Sequence, residues 1–140
     1  MQRHAHTQTL IEYWEARRFG RPAPGGAEVA PRDLAGILAN LFILKRLDEN
    51  HFVFRLAGSA MCQLHRREFA DQNFLSLWTG ADRRLVSALA DGALSSPGPA
   101  TAVSEASTLD GRRIEVEFAL VPLMGPEGML GRVLGLHQPL

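Results

Sequence analysis

An α+β fold is the class that the sequence predicts, on three observations. Hydrophobic residues recur at helical spacing in several parts of the chain, and they alternate in five short segments that indicate β-strands. The 140 residues suffice for one hydrophobic core, whereas two independent domains would each be too small. Hydrophobic residues make up 46% and charged residues 21% of the chain, which excludes a disordered tail.

The charge balance and the cysteine content exclude further classes of protein. Fifteen basic and fifteen acidic residues cancel, so we expect no nucleic-acid partner and no binding to an acidic membrane. The single cysteine, Cys62, forms no disulfide within the chain, and the polar start lacks a secretory signal. No apolar run approaches the roughly 20 residues that span a bilayer. We therefore expect a cytoplasmic protein.

The first predicted helix covers residues 9–18 and carries an apolar stripe. Thr9 and Glu12 form a capping-box pattern at its start. The stripe must cover an apolar surface, which belongs either to a second subunit or to the chain's own domain. We predict that it forms a dimer or partner surface, made of Leu10, Ile11, Tyr13 and Trp14.

Proline and glycine then separate this helix from the rest of the chain. Residues 21–26 read RPAPGG, which is typical of a loop. We therefore divide the chain into an N-terminal helix and loop, residues 1–30, and a single domain, residues 31–140. A second short helix is predicted at residues 31–41, where Pro31 suits a first helical turn and apolar residues recur at helical spacing.

Five alternating segments predict the strands of an antiparallel sheet. They cover residues 41–47, 52–56, 101–109, 113–123 and 129–136. The first two flank Asp48, Glu49 and Asn50, whose composition suits a tight hairpin. In the fourth segment Glu115 and Glu117 share one face of the strand, which we interpret as solvated.

Short helices or turns are predicted between the two groups of strands, at residues 60–78. A firmer helix follows at residues 80–94, and its periodicity turns Leu85, Ala88 and Leu89 toward the core. The residues predicted to fill the core between helices and sheet are Phe52, Phe54, Leu56, Met61, Phe69, Phe74, Leu77, Trp78, Leu85, Ile114, Val116, Phe118 and Leu120.

Two stretches of the chain resemble the PAS domain family, in a bacterial stand-alone subfamily. They are FVFRLAGSAMCQLHRREFADQNFLSLW at residues 52–78, and Asp110-Gly111 followed by IEVEFALVPLM. The resemblance implies a five-stranded antiparallel sheet with helices on one face, an N-terminal amphipathic helix and a small internal cavity. It also implies a module that senses ligands or contacts proteins, and that often dimerises through its first helix. His65 and the residues after it depart from the family pattern, which has a glycine before the Arg-Glu pair.

Any such cavity is expected to be apolar, with a few polar groups at its edge, and to take a small hydrophobic ligand. A core that is filled without a ligand is the alternative. The sequence does not identify a cofactor. The residues that we predict to line the pocket are Phe54, Arg55, Ser59, Cys62, His65, Phe74, Trp78 and Phe118.

Metal and haem sites find little support in the sequence. Cys62 and His65 are spaced to share one side of a helical turn, and His4 and His6 supply two further nitrogen ligands. Structural zinc motifs, however, pair two ligand sets on ordered elements, so we predict no metal site. Haem bound through His65 or His51 lacks an attachment motif.

A catalytic reading also lacks a recognisable motif. Ser59, His65 and Glu68 supply suitable residue types, but no nucleophile elbow, phosphate-binding loop or zinc-protease helix is present. We predict a non-catalytic sensory or regulatory module in bacterial signalling, which forms a homodimer or binds a signalling protein. The alternative is a cone-shaped α+β protein of the NTF-like kind, with Asp82 and His65 in a deep pocket. The strand order distinguishes the two.

Overall fold

Five strands form one antiparallel sheet in the computed structural model, which describes residues 4–48, 50–108, 110–126 and 128–140. The strands are β1 (Leu41–Asp48), β2 (His51–Ala57), β3 (Ala100–Ser107), β4 (Arg113–Met124) and β5 (Leu130–Pro139). Their order across the sheet is β2-β1-β5-β4-β3. The last strand of the chain therefore lies at the centre and joins the β1–β2 hairpin to the β3–β4 hairpin.

Helices cover both faces of this sheet. They are α1 (Ala5–Arg18), α2 (Ser59–His65) and α3 (Gly80–Ser95). Helices α2 and α3 pack on the face that we call inner, together with a single 3₁₀ turn at Phe74–Leu77. Helix α1 packs on the opposite, outer face. The predicted α+β class, with helices packed on one face of a five-stranded sheet and an additional N-terminal helix, is confirmed.

Strand β4 shows how the sheet serves two cores. Val116, Phe118 and Leu120 point to the inner core, whereas Ala119 and Val121 point to the outer core beneath α1. All five side chains are buried because both faces are covered.

The start of α1 differs from the sequence prediction. The helix begins at Ala5, four residues before Thr9, and the Nδ1 atom of His4 accepts a hydrogen bond from the backbone N–H of His6 at 3.0 Å. The Thr9 hydroxyl lies inside the helix and donates to the carbonyl of Ala5. The capping box at Thr9 is therefore wrong, because a histidine ring caps the helix one turn earlier.

The predicted helix at residues 31–41 is also wrong. The segment contains two single 3₁₀ turns, Pro31–Leu34 and Leu38–Asn40, separated by a glycine that weakens a continuous helix. Leu34 and Ile37 are nevertheless buried, as their hydrophobic character suggests. The segment lies on the outer face of the sheet and joins the core beneath α1.

A β-bulge alters the second strand. Ile43 pairs with Leu56, and the next residue of β1, Leu44, pairs with Phe54, so Arg55 has no partner in the ladder. Because an extra residue reverses the alternation, Leu56 lies on the outer side and its side chain is 55% exposed. The prediction that Leu56 belongs to the inner core is wrong for this reason.

Helix α3 is rotated relative to the predicted orientation. Leu85 is 45% exposed and Ala88 is exposed as well, whereas Leu89 is half-buried and packs against the inner core as predicted. The buried side chains of the helix belong to the adjacent stripe, which contains Val86, Ala90, Ala93 and Leu94. The helix has apolar residues on both stripes, so periodicity alone did not choose between them.

The strand boundaries differ by a few residues from the predicted ones. Strand β5 continues three residues past the predicted end at Leu136. The turn residue Glu49 and the predicted strand residue Leu109 lie outside the described residues. In the described ranges, no helix is both long and apolar enough to cross a bilayer.

Candidate functional site

Aromatic side chains fill the inner core between the sheet and the helices. The ring of Phe54 lies 4.8 Å from that of Phe69, and the ring of Phe74 lies 5.1 Å from Phe42 and 4.5 Å from Trp78, measured between centroids. These separations are those of directly contacting rings. The rings therefore form one continuous packed layer above the sheet.

Two histidines are buried beside this layer. His65 is the last residue of α2, and His137 lies on β5. Their Nε2 atoms are 2.8 Å apart, and the planes of the two rings are tilted by 71°. His65 is fully buried and packs edge-on against Phe69, and His137 is 1% exposed. The contact is therefore a hydrogen bond shielded from water.

The geometry of the pair determines its tautomers. One Nε2 atom must donate and the other must accept, so two neutral rings in this contact are in different tautomers. The ring that accepts carries its proton on Nδ1, and neither Nδ1 atom has a hydrogen-bond partner among the described residues. An unpaired buried donor is energetically costly. The pair therefore leaves hydrogen-bonding capacity at its Nδ1 atoms that no described residue uses.

Burial keeps both rings neutral. Burial, and then the proximity of His65, lowers the pKa of His137 to about 3. The pKa of His65 is lowered by burial first, and then by the positive charges of Arg67 and Arg112. Both shifts arise because a charged imidazolium loses hydration in the core.

A second polar cluster anchors α1 to the outer face. The Glu117 carboxylate is 5% exposed and accepts from the Thr7 hydroxyl and, at 2.8 Å, from the backbone N–H of His4. The Nδ1 atom of His6 lies 2.7 Å from the side-chain oxygen of Gln138. The interpretation of Glu117 as solvated is wrong, because alternation predicted its face correctly but not the helix that covers that face.

The two polar features lie back to back on the sheet. In the β4–β5 ladder, Phe118 pairs with His137 on the inner face, and Glu117 pairs with Gln138 on the outer face. Adjacent residues of one strand thus contact the histidine pair on one side and the N-terminus of α1 on the other. A displacement of β5 at this position affects both.

The structure brings together five of the residues predicted to line a pocket. Phe54, His65, Phe74, Trp78 and Phe118 all lie in the inner core. The Trp78 indole also donates to the Ser104 hydroxyl at 2.7 Å, so its polar end is satisfied.

The other three predicted pocket residues lie at or outside its edge. Arg55 is exposed and lies 3.6 Å from the Asp71 carboxylate, and Ser59 is exposed at the start of α2. Cys62 is half-buried with its sulfur 3.9 Å from the Ala57 carbonyl oxygen, and burial raises the pKa of its thiol. These placements do not test ligand binding, and the pocket stays a prediction.

The apolar stripe of α1 packs on the chain's own sheet, which is the alternative that the sequence left open. Leu10 is fully buried, and Trp14 is 2% exposed and donates to the Pro122 carbonyl at 2.8 Å. Ile11 and Tyr13 are half-buried, and the Tyr13 hydroxyl donates to Asp33. A partner surface on this helix stays a prediction, and in the single chain only its half-buried residues are accessible to a partner.

The four residues considered as metal ligands lie on opposite faces of the sheet. His4 and His6 lie on the outer face, whereas His65 is in the inner core and Cys62 borders it. Within the described ranges, no three His, Cys, Asp or Glu side chains come together in a way that could hold a metal ion.

Sequence reasoning missed His137 and the role of Glu117. The predicted last strand ended at Leu136, so His137 was not assigned to either face. Continued alternation past Leu136 is the signal that places His137 on the face of the inner core. No sequence signal identified His65 as its partner, since the two are 72 residues apart.

The match to a family model identifies the chain. A model described as "PAS domain" matches residues 2–138. The chain therefore belongs to the PAS domain family, whose modules are generally sensory and bind ligands or partners. Its strand order and this match exclude the cone-shaped alternative, and the hydrogen-bond partner of His65 is His137 rather than Asp82. No curated protein matches the sequence.

Solved structures show the same fold at low sequence identity. A light-oxygen-voltage domain studied with a flavin analogue has a TM-score of 0.65 at 17% identity, over 78% of this chain and 82% of that one. A PAS domain from Colwellia psychrerythraea has a TM-score of 0.60 at 16% identity, over 78% and 95% of the two chains. An RNA-binding light-oxygen-voltage receptor has a TM-score of 0.58 at 17% identity, over 83% of this chain and 35% of the receptor.

Proposed function

We propose that this chain is a non-catalytic sensory or regulatory module of bacterial signalling, which binds a small molecule in its inner core, a partner protein, or both. The observation that carries the proposal is the buried His65–His137 pair. It lies on the opposite face of the sheet from Glu117 and Gln138, which hold the N-terminus of α1. The Nδ1 atoms of both rings have no partner among the described residues, so each is free to bond a ligand with a hydrogen-bond donor or acceptor. The position of the pair links such binding to the outer face.

The route from the pair to the helix is short. His137 lies on β5 and is held by its hydrogen bond to His65, and we propose that a ligand that takes over this bond shifts β5. The next residue, Gln138, contacts His6, and the neighbouring Glu117 holds Thr7. We propose that ligand binding thereby weakens or strengthens the packing of α1, and that a partner protein or a second subunit recognises the change.

The arrangement of polar groups supports a non-catalytic role. Within the described ranges, Ser59, His65 and Glu68 form no hydrogen bonds with one another. Ser59 is exposed at one end of α2, and His65 is fully buried at the other. A nucleophile and its base have to lie within hydrogen-bond reach, and these two do not.

A flavin, named for one of the structural neighbours, does not fit the core as it is packed here. The ring of Phe54 contacts those of Phe69 and Phe74 in the inner core, so a planar tricyclic cofactor has to displace them. We therefore expect the purified protein to lack flavin absorbance. We also propose a protein or small-molecule partner rather than RNA, because the net charge of the chain is zero.

Hydrogen exchange tests the proposed link between the pair and α1. His137→Gln changes the buried pair, and His51→Gln alters an exposed histidine of β2 as the matched control. We expect the peptide 4–18 to exchange faster in His137→Gln but not in His51→Gln. In His137→Gln its exchange rate is expected to rise more than the rates of the α3 peptides. The proposed link would be contradicted if exchange became faster uniformly along the whole chain, or if the exchange rate of α1 did not change.

Native mass spectrometry tests ligand and partner binding directly. The purified wild-type protein is expected to carry a bound small molecule or to appear as a dimer or hetero-complex. The sensory proposal would be contradicted by a monomer that carries no small molecule and that binds neither a small molecule nor a protein when it is incubated with a cell extract.

A further inference from the structure

The outer face carries an apolar groove that α1 leaves uncovered. The groove lies between the segment that follows α1 and the strands β1, β2, β4 and β5, and it has a volume of about 160 Å³. Its apolar lining includes Leu34, Leu38, Ile43, Leu56 and Leu134. Leu38 is 41% and Leu56 is 55% exposed, so the groove is open to solvent.

Two cations lie where this groove meets an adjoining one. Lys45 and Arg132 are direct cross-strand partners between β1 and β5, and Lys45 follows Ile43 by two residues on the same face. Arg132 lines the groove itself and also an adjoining groove of about 470 Å³ that Lys45 lines. Like charges directly opposite each other on neighbouring strands are destabilising.

No described carboxylate neutralises these two cations. The ion pairs of the described residues involve other basic side chains, and the neighbouring Arg46 is paired with Asp91 at 2.9 Å. An anion between Lys45 and Arg132 relieves their repulsion, and the planar guanidinium matches the two oxygens of a carboxylate. The charge where the two grooves meet is therefore complementary to an acidic group.

We propose that this groove is a binding site for a small amphiphilic carboxylate. Its carboxylate lies between Lys45 and Arg132, and its apolar body lies on Ile43, Leu56 and Leu134. The groove encloses only part of this body, since an apolar cavity of roughly 150 Å³ holds a molecule as large as benzene. Its open side, at Leu38 and Leu56, leaves room for the end of a longer chain. This site is separate from the inner core, and the inference holds whether or not that core takes a ligand.

Octanoate is the probe that tests the proposal, with acetate and octanol as partial probes. Titration of the ¹⁵N-labelled protein is expected to shift the amide signals of Ile43, Leu56 and Arg132 with octanoate. Acetate lacks the apolar body and octanol lacks the charge, so both are expected to bind more weakly. Equal binding of octanol would overturn the proposed role of the cations.

Substitutions in the groove give a second test. Arg132→Gln and Lys45→Gln are expected to weaken octanoate binding by about fivefold each, because each removes one charged hydrogen-bond donor. Leu56→Ser is expected to weaken it by removing part of the apolar wall. Arg84→Gln, an exposed arginine of α3, serves as the matched control and is expected to leave the affinity unchanged.

The alternative occupants of the groove give different results. Octanoate affinity that is the same in Arg132→Gln and wild type would overturn the proposal, as would shifts confined to the inner core around His137. Sedimentation of the same variants identifies a second copy of the chain as the occupant. The proposal would also be overturned if the wild type forms a dimer that the Leu56→Ser substitution dissociates but that octanoate does not dissociate.

Discussion

The histidine pair makes the stability of the protein depend on pH. In the unfolded chain a histidine titrates near pH 6.5, whereas the pKa of folded His137 is about 3. Between these values the unfolded state binds more protons than the folded state, so acidification favours unfolding. The stability conferred by the neutral pair is present above pH 6.5 and is lost as the pH falls toward 3.

We expect His137 alone to cost about 2 kcal/mol of unfolding free energy between pH 7 and pH 5. Urea denaturation at a series of pH values measures this loss. His137→Gln retains a polar partner for His65 but does not titrate, so its stability is expected to fall less steeply. A slope equal to that of the wild type would show that the carboxylates, rather than His137, cause the acid sensitivity.

Two glycines are required by close contacts. A Cβ atom on Gly58 meets the carbonyl oxygen of Ala39 at 2.2 Å, and one on Gly135 meets the ring of Phe42 at 2.1 Å. The first obstacle is backbone and has little freedom to move.

We therefore expect Gly58→Ala to lower the unfolding free energy by about 1–3 kcal/mol, which is the usual cost of overpacking. Gly131→Ala is the matched control, because a Cβ atom there meets nothing within 4 Å. Thermal denaturation of the two variants measures the difference. Equal melting temperatures would mean that the segment around Ala39 shifts without cost.

At the level of elements, the anchoring of α1 depends on Thr7. Its hydroxyl donates to the buried Glu117, whereas the Thr9 hydroxyl bonds within the helix on the exposed side. We expect Thr7→Ala to lower the unfolding free energy by about 1–2 kcal/mol, because Glu117 loses a donor while it stays buried. Thr9→Ala is expected to change it by less than about 0.5 kcal/mol. Urea denaturation measures the unfolding free energy of both variants. Similar losses in the two would contradict the role of Thr7 in holding α1 on the sheet.

The packing of α1 also determines how a partner surface has to be tested. Trp14→Glu places a charge under the helix at a position 2% exposed, so we expect loss of folded protein rather than a clean loss of association. Ile11→Glu affects a half-buried position and is the better test. Size-exclusion chromatography with light scattering is expected to show a smaller species for Ile11→Glu. An unchanged mass would remove Ile11 from the partner surface.

Strands were easier to predict from this sequence than helix faces. Alternation and turn residues located all five strands, since both signals are local. The orientation of α3 was not predictable, because Leu85 and Val86 are both apolar and only the packing of the helix on the inner core buries Val86. The bulge at Arg55 was not predictable either, since it depends on pairing with β1.

At the level of the whole molecule, the sequence predicted the family and the aromatic part of the candidate site. Phe54, Phe74, Trp78 and Phe118 are apolar residues in regular strands and turns, so their burial followed from local pattern. The His65–His137 contact depends on how α2 packs over β5, which no local pattern encodes. Polar pairs between distant segments were thus the part of the site that the fold alone revealed.

The molecule has two separate hydrophobic cores that share one sheet. The inner core contains the histidine pair, and the outer core lies beneath α1 and borders the apolar groove. Strand β5 contributes residues to both. Strands β1 and β4 do so as well, so the two cores are joined through the three adjacent strands β1, β5 and β4.

The central position of β5 also has a consequence for synthesis on the ribosome. The β1–β2 and β3–β4 hairpins are both translated before residues 130–139, yet each borders β5 and neither borders the other. While the chain is still emerging, each hairpin exposes backbone groups along the edge that β5 later occupies. The nascent chain is therefore most exposed to aggregation, and most in need of chaperones, just before its final strand leaves the exit tunnel.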